Sequence, residues 1–279
     1  SAYVGKVNMD RNSPEFLIEE TNQSLADTKV WLDTSAQFGP LVKPIITPRF
    51  VPSCTSELMT GLAKLAKEYD VPVQSHLSEN HGEIDWVASL HPESSNYTDV
   101  YYEHHLMGTV PTVMAHCIHL SDVEMDRMAE TQTMVSHCPY SNVNLSSGIA
   151  PIRKLIERNI PIGLGSDISG GHIVSMAKVL TEAIGLSKMK WAEVDPNYAP
   201  LTLSEAFYMA TKGGGQFFGH VGSFEKGYEL DALIIDDTSL FDPNERSLEE
   251  RLERWLYVGD DRHIIERYVA GRVVPSPKG

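Results

Sequence analysis

Short apolar runs followed by amphipathic stretches recur along this chain, and the alternation sets the first expectation about its fold. The runs are LVKPIIT (41–47), VPVQSH (71–76), TVMAH (112–116), TMVSH (133–137) and IPIGLGSD (160–167). Each is apolar at nearly consecutive positions, the pattern of parallel strands buried on both faces. Between them lie helix-start signals. Ser121 with Glu124, Thr202 with Glu205 and Ser247 with Glu250 each have the spacing of a capping box, in which a hydroxyl caps the third backbone N–H and the glutamate reaches back. Leu58, Leu62 and Leu65 fall on one helical face after the first run. The expected class is therefore α/β with a parallel sheet. Ala2 to Val7 also reads as strand. After about residue 220 the pattern changes: SFEKGYELDALIIDD (223–237) and IIERYVAGRVV (264–274) read as β-strands, with Ala270-Gly271 as a turn and one helix (248–256) between them. A closed (β/α)₈ barrel needs eight strand–helix units and typically about 250 residues. Five units are convincing here, so either the sheet is open or the chain lacks a barrel's opening units.

Composition narrows the function. With 23 Lys+Arg against 38 Asp+Glu the net charge is −15, which disfavours nucleic acid and a polybasic membrane anchor as partners. No apolar run has the length to span a bilayer, and SAYVGKVNMD has neither the basic nor the apolar region of a signal peptide. Three scattered cysteines (Cys54, Cys117, Cys138) make neither a disulfide framework nor a CxxC zinc site, which favours a reducing compartment such as the cytoplasm.

Candidate chemistry sits at the C-terminal ends of the runs, where α/β folds place their sites. Arg49 lies just past the first run, His76 and Glu79 at the second, His116 at the third, His137 at the fourth and Asp167 at the fifth. Each has an ordinary explanation: a lone histidine can be a satisfied core or capping group, Asp167 can cap a helix, Glu79 can favour a helix N-terminus, Arg49 can pair with a carboxylate and Phe50 can pack in a loop. Buried imidazoles and carboxylates need partners and are good ligands for zinc or iron, so their recurrence at successive strand ends favours a common site. The remaining histidines read mostly as surface groups, His172 being the least certain. Gly213-Gly214-Gly215 follows a helical stretch and lacks GKS/T, so it reads as flexible backbone or close helix packing; a phosphate loop does not fit. There is no GxSxG elbow and no HxE…PCxxC pattern.

The segments QSHLSEN (74–80), MAH (114–116), SHCP with Ser141-Asn142, and GLGSD (163–167) resemble, in order, the metal-dependent amidohydrolase superfamily. SAYVGKVNMD, TPRF (47–50), NLSSG (144–148), GSDISGG (165–171) and LYVGDDR (256–262) resemble its guanine-deaminating branch. The likeness implies a (β/α)₈ TIM-type barrel, this chain carrying roughly the last five units over residues 1–220, and a small β-sandwich portion with a final helix over 221–279. It implies one zinc or iron ion per site, hydrolysis of guanine to xanthine and ammonia in purine catabolism, and a homodimer. His76 and Asp167 are then metal ligands, His116 holds the nucleophilic water, and Glu79 is the proton shuttle. Arg49 and Phe50 belong to the segment that contacts guanine, with His76, Glu79 and Asp167 also lining the substrate; the role of His137 stays open. The superfamily's first metal motif, His-x-His, is absent from this sequence. The expectation is a chain without the N-terminal portion, three strand–helix units and half of the β-sandwich. Two ligands are fewer than the three usual for catalytic zinc, so such a chain should bind metal weakly, and should be unstable or associated because five strands leave an apolar edge. The rival readings are a sister amidohydrolase acting on an aminotriazine or a modified adenosine, which Arg49 disfavours because a cation suits an exocyclic carbonyl, and a metal-free, non-catalytic scaffold.

Overall fold

The computed structural model describes residues 1–275, so the last four residues of the expected 221–279 portion lie outside the described residues. The chain divides into two compact units, residues 1–137 with 154–161, and residues 138–153 with 162 onward.

In the first unit, β1 (Ala2–Val4), β2 (Val7–Asn8), α1 (Thr21–Thr34), β3 (Val42–Pro44), β4 (Thr47–Pro48), α2 (Ser56–Tyr69), β5 (Val73–Leu77), α3 (His81–Leu90), α4 (Tyr97–Glu103), β6 (Thr112–His116), α5 (Asp122–Glu130) and β7 (Met134–His137) follow in order. β1 pairs with β3, β2 with β4, and β5 with β6 and β6 with β7, all parallel. The run at 41–47 is divided between two short strands, β3 paired with β1 and β4, which reaches Pro48, paired with β2, with the break at Ile45. Ile46, between them, bridges to Val73 and so carries the parallel order on to β5. Burial alternates along β5 and β6, with Val73, Ser75 and Leu77 buried and Gln74 and His76 half-buried, so these strands are not covered equally on both faces as the apolar runs suggested. α2 buries Leu58, Met59, Leu62, Ala63 and Ala66, each large side chain contributing about 2 kcal/mol. It ends on Asp70 in the left-handed conformation. The capping box at Ser121 and Glu124 opens α5 as expected, and a second, at Asn80 and Glu83, opens α3.

In the second unit, α6 (Pro139–Asn144), α7 (Ile152–Glu157, whose last residues belong to the first unit) and β8 (Ile162–Leu164) are followed by the long α8 (Met176–Glu193), α9 (Leu203–Tyr208), β9 (Ala232–Ile235), α10 (Leu248–Val258), β10 (Ile264–Val269) and β11 (Arg272–Val273). The last three strands form an antiparallel sheet in the order β11-β10-β9. Ala270 and Gly271, at φ 49° and 74°, make the tight turn that the sequence marks, since a two-residue hairpin loop of this hand needs positive φ at both positions. α9 and α10 carry the expected capping boxes. Gly213 closes a π-type turn (Met209–Gly213), and a Cβ there would lie 3.0 Å from the carbonyl oxygen of Ile162, so close backbone packing accounts for this glycine.

Arg153 ties this unit together. Its guanidinium grips Glu205 with two bonds of 2.7 and 2.9 Å and donates to the carbonyls of Ala199 and Pro200. These bonds hold the Glu205 carboxyl down to about 2 from its ordinary 4.5, with the Arg153 hydrogen bond as the main cause. The unfolded state therefore binds this proton first as pH falls. The stabilisation is full above pH 4.5 and is lost between there and about pH 2. Glu205→Gln should lose on the order of 1 kcal/mol less stability than wild type over that window, after screening of a partly exposed pair. Thermal melts at stepped pH check this, and parallel curves for the two proteins would contradict it.

Candidate active site

The register of β5 and β6 places Leu77 opposite His116, so the two strands end side by side. Past their ends the backbones stay joined: Cys117 N–H donates to Leu77 O at 2.9 Å, and Ile118 and His119 N–H to Ser78 O at 3.1 and 3.2 Å. Such a join forces unusual backbone. Ser78, His116 and Cys117 have φ of 49°, 71° and 52°. Left-handed conformations of non-glycine residues cost free energy and cluster at functional sites.

This geometry brings His76, Glu79 and His116 together. The His76 and His116 rings stack with centroids 5.4 Å apart. His116 Nε2 lies 3.7 Å from Glu79 Oε2, with His116 buried and the glutamate 18% exposed. At that separation the two groups are beyond a direct hydrogen bond, yet both can reach one small oxygen about 2.8 Å from each. His76 Nδ1 lies 2.6 Å from the carbonyl oxygen of Arg49. A carbonyl only accepts, so Nδ1 carries a proton, and in the neutral ring this leaves Nε2 as the nitrogen that could bind a metal. The donor chemistry thus fits an ion. Among the described residues, however, no three His, Cys, Asp or Glu gather closely enough to hold one.

His137 ends β7, next in the same sheet, where Ala115 lies opposite Ser136. Its ring is buried and Nδ1 has no hydrogen-bond partner among the described residues. Burial, assisted by the neighbouring His116, pushes its pKa down to about 3. The ring is therefore a neutral, buried imidazole at any ordinary pH.

Arg49 is exposed, with its guanidinium 5.8 Å from the Phe50 ring and Nη1 3.5 Å from Met9 Sδ. Phe50 is half-buried and meets Trp86 edge-on at 6.3 Å. The segment after them is strapped down by the chain start: Arg11 donates to Val51 O at 3.0 Å and Asn12 to Pro52 O at 2.9 Å. Asp10 accepts from the Thr55 N–H at 2.7 Å and from its hydroxyl at 2.6 Å. Arg11 also lies 3.1 Å from His91 Nε2. His91 and His263 are buried, contrary to the surface reading of the remaining histidines. Nothing in the spacing of either distinguishes it; both are buried by partners remote in sequence or by a local turn.

Asp167 belongs to the second unit and follows β8 with φ 43°. Its carbonyl accepts from Gly171 N–H at 2.6 Å, and the next helix begins only at Met176, so Asp167 does not act as a helix cap. Gly170 is required by closeness: a Cβ there would stand 2.6 Å from both Asp167 Oδ2 and Ser141 Oγ. Cys54, Cys117 and Cys138 are buried, and none forms a disulfide among the described residues. No helix among the described residues is long and apolar enough to cross a membrane.

An α/β chain with a parallel sheet whose strand ends carry imidazoles and a carboxylate has the ground plan of a hydrolase of the kind the motifs suggested. The family model for the amidohydrolase family matches residues 1–274, and the chain belongs to that family. Among its relatives, the guanine deaminase of Dictyostelium discoideum is 45% identical over 281 residues, covering 98% of this chain and 62% of that protein. The Escherichia coli guanine deaminase is 37% identical, covering 97% of this chain and 62% of the relative. The crystal structure of guanine deaminase from C. acetobutylicum with bound guanine superposes with a TM-score of 0.94 at 53% identity, covering 98% of this chain and 65% of that one. The chain thus spans about 62% of the length of these two curated relatives.

The His137 environment makes a direct prediction. In NMR titrations its ring signals should stay at the neutral position from pH 8 down to pH 5, because the folded pKa is held near 3. A midpoint near the ordinary 6.5 would show that the ring is solvated and not buried at the strand end.

Proposed function

We propose that the protein containing this chain deaminates guanine hydrolytically, adding water and releasing xanthine and ammonia. The observation that carries the reading is Glu79 facing His116 at 3.7 Å beside the oriented His76, in a chain up to 53% identical to guanine deaminases over 98% of its length. Residues 1–220 are proposed as the C-terminal portion of a (β/α)₈ barrel and 221–279 as a β-sandwich portion with its helix. The parallel order of β5 to β7 and the antiparallel β9 to β11 support this division.

His76 and Asp167 are proposed as ligands of one zinc or iron ion, on the family motif and, for His76, on its Nδ1–carbonyl bond. Catalytic zinc takes three protein ligands, so the proposal requires further ones, which the family resemblance places in a His-x-His motif. When bound, such an ion lowers the pKa of water to about 7 and makes it a nucleophile at neutral pH. His116 holds the attacking water through Nε2. Glu79 takes one proton of the water as base and passes it to a ring nitrogen of guanine; it then takes the remaining hydroxyl proton from the tetrahedral carbon, as that oxygen becomes the carbonyl, and delivers it as acid to the departing amino group. The carbon that gains oxygen loses ammonia, so atoms and charge balance. Arg49 faces the ring carbonyl oxygen, where a guanidinium N–H is the matching donor, and Phe50 packs against the purine. Asp167 can also accept a proton. Homodimer assembly and a cytoplasmic location belong to the same proposal; both rest on the resemblance, the location also on three cysteines too few and too scattered for a disulfide framework.

The test is a substrate panel on the complete gene product, measuring ammonia release from guanine, an aminotriazine and a modified adenosine. Guanine should be turned over preferentially. Glu79→Gln should retain the wild-type metal content and lose at least about 100-fold in kcat. A near-wild-type rate in Glu79→Gln overturns the shuttle role, and preference for a triazine or nucleoside overturns the substrate.

A further inference from the structure

Glu83 is a buried carboxylate that none of these proton transfers uses. It occupies the third position of α3 and would ordinarily only complete the capping box with Asn80. The distances are skewed: its Oε2 accepts from Glu79 N–H at 2.9 Å, and from the capping residue's own N–H only at 3.4 Å. The carboxylate therefore holds the backbone of Glu79 itself more tightly than it holds the cap. Its other oxygen accepts from the Tyr97 hydroxyl at 2.7 Å. Tyr97 is buried, as is the Tyr101 ring stacked on it at 5.7 Å, so the carboxylate cannot swing away without losing a bond inside a packed wall. Two fixed points follow for the short segment that carries Glu79. Ser78 O is bound by the loop after β6, and Glu79 N–H is bound by Glu83, with Ser78 in a left-handed conformation between them.

We infer that Glu83 is a positioning residue that aims Glu79 at His116 by gripping the Glu79 backbone, with Tyr97 locking the grip. This rests on the reading of Glu79 as proton carrier. A backbone hydrogen bond is the efficient way to place a reacting carboxylate, because the side chain is left to move protons while its root stays fixed. Misplacing a catalytic group by about 1 Å costs on the order of 100-fold in rate.

The experiment compares Glu83→Ala, Glu83→Gln, Asn80→Ala and Tyr97→Phe in the complete gene product, by amide hydrogen exchange and by guanine turnover. Glu83→Ala should speed exchange of the Glu79 amide by about tenfold or more and lower kcat by about 100-fold with little change in KM. Asn80→Ala, which removes the other half of the cap, should lower Tm comparably yet leave the Glu79 amide protected and kcat nearly unchanged. Glu83→Gln, which keeps an acceptor oxygen, should recover most of the rate. In a Glu79→Gln background Glu83→Ala should add no further loss, because its effect runs through Glu79. Where Glu83→Ala does not fold, Tyr97→Phe carries the test, with faster Glu79 exchange and a smaller fall in kcat expected. An unchanged Glu79 amide in these variants, a matching kcat loss in Asn80→Ala, or additivity with Glu79→Gln would overturn the inference. If the protein does not turn over guanine at all, the functional reading fails, and the exchange measurements still decide whether Glu83 holds the Glu79 segment.

Discussion

The parallel pairing that ends β5 and β6 at the same level is the constraint on which the rest of the site depends. Because Leu77 lies opposite His116, the residues just beyond both strands are forced into contact. Their backbone groups then satisfy one another across the two loops, with Ser78 O taking two N–H donors from the neighbouring loop. A shift of one residue in that register would turn His116 to the opposite face and separate it from Glu79. The positive φ angles at Ser78, His116 and Cys117 are the cost of the arrangement, and the packed sheet beneath holds it in place.

Around that join the polar side chains proposed for the chemistry are held by neighbouring groups. His76 is turned by the carbonyl of Arg49, and that carbonyl lies within 3.1 Å of the Ser75 hydroxyl. The Ser75 hydroxyl is itself 2.7 Å from that of Tyr101. His116 stacks on His76, and the nearby buried His137 adds no charge at neutral pH. Arg49 and Phe50 sit on a segment held from the chain start by Arg11 and Asn12. Preorganisation of this kind lowers the rearrangement needed when charge develops on a reacting oxygen.

Much of this was legible in the sequence, and the reasons are specific. The runs ending in His116 and His137 are strands ending at those residues, and the run ending in His76 is a strand that continues one residue further, to Leu77, because β-type apolar runs and turn signals are local properties. The three expected capping boxes are present for the same reason. What escaped is non-local. The split of the 41–47 run at Pro44 and Ile45 depends on which backbone groups a neighbouring strand demands. The burial of His91 depends on Arg11, eighty positions away. The left-handed backbone at His116 and Cys117 has no signal in residue type, since neither is glycine or asparagine. Glu83 has the spacing of a capping residue and nothing in the sequence tells that its shorter bond goes to Glu79.

The most direct measurement is a crystal structure of the complete gene product with metal and guanine bound. The amino-bearing ring carbon should lie beside the gap between His116 Nε2 and Glu79, with His76 Nε2 on the ion and the ring carbonyl oxygen at Arg49. Guanine bound elsewhere, or a His76 whose Nε2 faces away from the ion, would contradict the proposed site.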